Sequence, residues 1–168
     1  MSAAAGARSR WSCAGATQDS GSPSSTCRSS ATSRRTRIAA AGLADRIPFV
    51  AGDFCADRLP EGHDTVLLSS ILRGWSEADA RRILALCTDV LPADGTLIIC
   101  ESFVGNDERG PAPAALMSLN TLVETWGRNY TAAEYTSWLR EVGLRTERGS
   151  LLDGAPTTAA LVARKARP

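Results

Sequence analysis

Residues Val66-Leu67-Leu68-Ser69-Ser70-Ile71-Leu72-Arg73-Gly74-Trp75 pass from an unbroken apolar run into polar residues, and few folds accept that order. The run at 66–68 reads as a strand buried on both faces, as in a parallel sheet. Ser76-Glu77-Ala78-Asp79 then supplies the side-chain oxygen and first-turn acids of a helix start. Arg73, Gly74 and Trp75 therefore occupy a strand-to-helix connection. Ligands of open α/β sheets bind outside the carboxyl ends of the strands, so this bend is the first candidate for chemistry.

The flanking pattern extends the same architecture. Ala80, Ile83, Leu84, Cys87, Val90 and Leu91 form one apolar helical stripe that Pro92 and Gly95 end. Residues 95–101 read as a second continuous apolar strand closing on Glu101. Pro111 and Pro113 suit the opening of a helix running to about Thr125, with Leu116, Leu119 and Val123 as its apolar stripe. Thr131-Ala132-Ala133-Glu134 is a capping box ahead of Tyr135, Trp138, Leu139 and Val142, and Gly143 stops that helix. Residues 144–152 and 157–163, around Asp153-Gly154, predict an antiparallel hairpin. Upstream, 38–43 reads as a helix end closed by Gly42, and 46–53 as a short strand entering a turn. The predicted fold is α/β, a partial Rossmann-like sheet, mostly parallel, with an antiparallel C-terminal hairpin.

At 168 residues the chain suits one domain. A net charge of +1 argues against nucleic acid or a membrane surface held by bulk electrostatics. Six arginines face Asp19 alone within residues 1–37, where ten serines stand and Leu, Ile, Val and Phe are missing. That segment is expected to be disordered. Transit peptide, basic arm, flexible tail and non-native reading frame all remain open for it, with native sequence expected from Ile38. Five widely spaced cysteines without a C-x-x-C pair suggest neither a disulfide framework nor a metal site, and a cytoplasmic protein. No run approaches the roughly 20 apolar residues of a membrane span.

Taken in order, 46–54, Leu59-Pro60, Asp64, Leu68 to Trp75, Ile83-Leu84, 95–101 and 138–144 resemble the catalytic domain of S-adenosylmethionine-dependent small-molecule O-methyltransferases. The subgroup includes the caffeate, acetylserotonin and bacterial polyketide-tailoring enzymes. The resemblance implies a class I methyltransferase sheet over residues 38–168, with S-adenosylmethionine as cofactor and an aromatic or polyketide-like hydroxyl as acceptor. It places Asp53 on the adenine amine and Phe54 against the ring, the alternative for Asp53 being a turn cap. Ser69, Ser70 and Trp75 fall at the methyl-donor pocket. Met117, Asn120, Leu122 and Trp126 fall at the acceptor pocket, although such spacing equally describes core. The Asp53 turn and the Arg73 bend are expected at one rim of a single sheet.

The family's usual Leu-His-Asp-Trp, whose histidine is the general base, reads Leu72-Arg73-Gly74-Trp75 here. Arginine cannot accept a proton near neutral pH. Of the partner acids, Glu101 matches and the second falls at Asn129. Arg73, Glu101 and Asn129 are thus the candidate catalytic positions. Three outcomes are open: catalysis by positioning, an Arg73 that pairs with an acidic or phenolate acceptor, or an Arg73–Glu101 ion pair and a dead site. The family is homodimeric, but its N-terminal dimerisation domain and glycine-rich cofactor turn are not recognisable here. The alternative is a non-catalytic truncated remnant; a nicotinamide-dependent oxidoreductase is weaker, because it needs the same glycine-rich turn.

Overall fold

A computed structural model describes residues 13–15, 36–45, 49–51, 59–105, 112–125, 127–152 and 155–167. They belong to two compact units, residues 1–63 and 64–168, a division later in the chain than the composition change at Ile38.

In the first unit, β1 (Cys13–Gly15) pairs in parallel with β2 (Phe49–Ala51), Ala14 lying opposite Val50. Of the Arg- and Ser-rich leader, residues 13–15 and 36–37 are described. Helix α1, described over 36–40, closes as expected: the Leu43 N–H donates to the Ile38 carbonyl (3.0 Å) and the Gly42 N–H to that of Ala39 (2.9 Å). Asp53, Phe54 and Trp126 lie outside the described residues, and with Asp53 the expectation of a rim shared with Arg73.

The second unit runs β3 (Thr65–Ser69), a 3-10 turn (Leu72–Gly74), α2 (Glu77–Val90), β4 (Thr96–Ser102), α3 (Ala112–Glu124), α4 (Ala132–Glu141), β5 (Leu144–Leu152) and β6 (Ala155–Lys165). Its four strands lie in the order β3-β4-β6-β5. This corrects the expected mostly parallel sheet: β3 and β4 are parallel, while β6 runs antiparallel to both β4 and β5. The cause is the hairpin. Its second strand inserts beside β4 rather than stopping at an edge, so both of its ladders are antiparallel.

Register decides which side chains share a face. Leu68 stands opposite Ile99, and Leu97, Ile99 and Glu101 stand opposite Ala163, Leu161 and Ala159; all are buried. The alternate residues are more open, and Leu67 is 51% exposed, so β3 is not the doubly buried strand that its apolar run suggests. Among the described residues it stands first in the order of its sheet, beside β4. Helices α2 and α4 bring the opposing apolar layer: Ala80, Ile83, Leu84 and Cys87 from one, Tyr135, Trp138 and Leu139 from the other, all buried. Packing of this kind supplies most helix stability in water. Ser76 caps α2 by accepting from the Asp79 N–H (3.2 Å). At the other end the Lys165 Nζ donates to the Thr88 and Leu91 carbonyls (both 2.7 Å), a cation on the negative end of the helix dipole.

Helix α3 corrects a second expectation. Its stripe of Leu116, Leu119 and Val123 is turned outward, and Ala114 and Thr121 face in. The small side chains allow close approach. The Thr121 and Thr125 hydroxyls donate to the Met117 and Thr121 carbonyls (2.8 and 2.7 Å), which satisfies them within their own helix.

Candidate active site

The parallel pairing of Ser69 with Cys100 brings the carboxyl ends of β3 and β4 to one rim, so the bend after β3 meets the last residues of β4. Ser70 leaves the strand with φ 54°, a left-handed conformation rare for a residue with a Cβ, while its N–H donates to the Cys100 carbonyl (2.9 Å). Strain of this sort persists only where the surroundings impose it. Ser69 and Ser70 are both exposed there.

The chain then enters the 3-10 turn under the hold of Glu101. This carboxylate is 1% exposed, and its Oε1 accepts from the backbone N–H groups of Ile71 (2.8 Å) and Leu72 (3.0 Å). Burial pushes the carboxyl up to about 7, against the opposing pull of the Arg73 guanidinium and the amides of residues 71, 72 and 73. Oε2 is buried with no hydrogen-bond partner among the described residues. Arg73 acts on this group through its field, and among the described residues the two form no salt bridge within 4 Å. The structural ion pair that would silence the site is therefore not formed.

On its other side the turn is pressed by Gly127. A Cβ built there would lie 2.0 Å from the Arg73 carbonyl oxygen and 2.6 Å from the Trp75 nitrogen, so only glycine fits. The Tyr130 hydroxyl donates to the Trp75 carbonyl (2.8 Å). Tyr130 also precedes the Thr131 cap and meets Tyr135 edge-on at 5.7 Å, a hydrophobic staple beside a capping box. Neither Gly127 nor Tyr130 is singled out by the sequence pattern. The staple position of Tyr130, one residue before the cap, was the available signal.

The candidate positions divide accordingly. Arg73, Glu101, Ser69, Ser70 and Trp75 gather at one rim. Asn129 is 2% exposed and serves the scaffold: its Nδ2 donates to the Ala114 carbonyl (2.9 Å) and its N–H donates to the Ser118 hydroxyl (3.0 Å), tying the loop to α3. Its Oδ1 is buried without a partner among the described residues. Met117 is 41% exposed and Asn120 exposed, both on α3. No group of three or more metal-ligating side chains occurs among the described residues, and none of their helices is long and apolar enough to cross a membrane.

Solved structures similar to this chain include methyltransferases. Human N-acetylserotonin methyltransferase, in complex with S-adenosylmethionine, is 32% identical with a TM-score of 0.68, covering 73% of this chain and 35% of that one. The S-adenosylmethionine-dependent methyltransferase SibL, in its apo form, is 26% identical with a TM-score of 0.77, covering 94% and 44%. The O-methyltransferase domain family matches residues 30–145, and the chain belongs to it. Among relatives, the 3-hydroxy-5-methyl-1-naphthoate 3-O-methyltransferase of Streptomyces sahachiroi is 61% identical over 107 residues, 64% of this chain and 31% of that protein. The acetylserotonin O-methyltransferase of Bos taurus is 38% identical over 121 residues, 72% and 34%. The chain thus spans about a third of the length of these relatives.

Proposed function

We propose that this chain carries the acceptor side of a cytoplasmic O-methyltransferase that moves a methyl group from S-adenosylmethionine to the hydroxyl of an aromatic or polyketide-like small molecule. The observation that carries the reading is the Arg73 turn, held from one side by the Glu101 carboxylate and from the other by Gly127. A turn fixed in this way is suited to positioning, and positioning alone supplies several kcal/mol when the attacking atom is held in line.

The rim fits a polar ligand: Ser69 and Ser70, exposed at the carboxyl end of β3, offer hydroxyls beside the parallel strand β4. Ser69, Ser70 and Trp75 would hold the donor there. The donor supplies an electrophilic methyl on a sulfonium, so the methyl–sulfur bond breaks as the methyl–oxygen bond forms. Arg73 provides a fixed positive charge beside the acceptor, which lowers the pKa of its hydroxyl and lets the proton leave to water without a histidine base. Glu101 orients Arg73 through the backbone, Asn129 ties the 127–131 loop to α3, and Met117 and Asn120 on α3 would take the acceptor side. The S. sahachiroi relative acts on a naphthoate, and a carboxylate of that kind suits an arginine.

Calorimetric titration with S-adenosylhomocysteine tests the cofactor half: binding near micromolar is expected, and no heat at millimolar ligand would overturn the reading. For the acceptor half, Arg73→Gln should raise KM for 3-hydroxy-5-methyl-1-naphthoate at least tenfold, read by mass spectrometry as methyl gained.

A further inference from the structure

We propose that Tyr130 is a positioning residue for Arg73: by holding the Trp75 carbonyl, its hydroxyl fixes the exit of the turn that presents the guanidinium to an anionic acceptor. The inference rests on the reading that Arg73 meets that acceptor, and it names what keeps the arginine in place.

A turn of three residues, Leu72–Gly74, has too few internal bonds to hold its own shape. Two bonds cross it, from the Gly74 N–H to the Ile71 carbonyl (3.2 Å) and from the Trp75 N–H to the Leu72 carbonyl (3.1 Å). Its geometry therefore depends on what grips it from outside. Glu101 accepts from the Ile71 and Leu72 amides at the entrance, and the Tyr130 hydroxyl donates to the Trp75 carbonyl at the exit (2.8 Å). Arg73 lies between these two grips, which come from different elements. Among the described residues it makes no ion pair, so its half-buried side chain follows the backbone that carries it. A misplacement of about 1 Å at such a group can cost on the order of a hundredfold.

Tyr130 is built as a rigid arm. It is buried, and its ring meets Trp138 edge-on at 4.8 Å as well as Tyr135, both from α4. The Arg128 guanidinium lies over the same ring, 4.5 Å from its centroid, and pairs in turn with Glu134. Glu134 also accepts from the Thr131 N–H (2.8 Å), so the arm is anchored to the capped start of α4. Burial pushes the Tyr130 phenol up to about 12, so it stays protonated and donates near neutral pH. A hydrophobic staple needs only the ring. The hydroxyl, engaged with the carbonyl between the turn and the cap of α2, is what the staple role leaves unexplained.

Calorimetric titration of the full chain with 3-hydroxy-5-methyl-1-naphthoate tests this. Tyr130→Phe should weaken binding about fivefold, the worth of one hydrogen bond. In an Arg73→Gln background the same change should cost less than about twofold, because the group it positions is gone. Thr131→Ala, which weakens α4 but keeps the Tyr130 hydroxyl, should bind as the native chain does. Equal losses with and without Arg73, the same loss in Thr131→Ala, or no loss at all would each overturn the proposal and leave the role of Arg73 standing. A native chain that does not bind the naphthoate, or an Arg73→Gln chain that binds it as tightly as the native, would instead overturn that role and the proposal with it.

Discussion

Replacing Glu101 by Gln isolates the electrostatic cost of the clamp on the Arg73 turn. Glutamine keeps an oxygen to accept from the Ile71 and Leu72 amides but cannot ionise. The native carboxyl ionises at about 7 in the folded chain against an ordinary 4.5, so the folded state holds a proton that the unfolded state has already released between those values. Stability associated with this group is fully present below about 4.5 and is lost as pH rises through about 7. At 1.36 kcal/mol per pH unit, the loss approaches about 3 kcal/mol. Arg73 and the amides of residues 71–73 pull its pKa back down, and its charge in turn opposes ionisation of Tyr135 on α4 and Cys100 on β4. Urea unfolding of both proteins, followed by tryptophan fluorescence at pH 5 and pH 8.5, provides the comparison. The native chain should lose about 2.5 kcal/mol more than Glu101→Gln across that interval. Parallel pH dependence of the two would refute the assignment of a buried, ionisable clamp.

Other perturbations probe the same rim. Gly127→Ala must move the backbone of residues 73–75, and a fall of about 3 kcal/mol or more in unfolding free energy is expected, at or above the top of the usual range for single substitutions. Thr131→Ala removes the cap of α4 and should lower stability by about 1 kcal/mol in thermal unfolding. Tyr130→Phe loses the hydrogen bond to the Trp75 carbonyl but keeps the staple, so a loss near 1 kcal/mol is expected by the same measurement.

Local chemistry made much of this fold legible from residues alone. Ser76 and the Thr131–Glu134 box cap the helices they precede, and the stripes of α2 and α4 are buried as their periodicity predicts. The hairpin likewise forms where its two β-like runs stand, though its place inside the sheet does not follow from pairing preferences. Periodicity reports that a stripe exists and not which way it faces, which is why α3 lies with its leucines outward. An apolar run such as 66–68 reports strand propensity but not the number of neighbours, so the exposure of Leu67 was hidden. At the site, Arg73 and Glu101 were found through the resemblance to a family motif. Their meeting depends on a contact thirty residues apart in sequence, and the pressure of Gly127 on the turn depends on tertiary approach that no local pattern encodes.

β6 is translated after every other strand of its sheet, yet it sits between β4 and β5 rather than at a margin. Among the described strands, β4 therefore has β3 alone beside it during synthesis, and β5 has none to pair with, until residues 155–165 leave the ribosome. Both are exposed ladders during that wait, of the kind that recruits foreign strands. Completion of this sheet waits on residues 155–165, and stalling the ribosome ahead of residue 155 should leave a nascent chain dependent on chaperones.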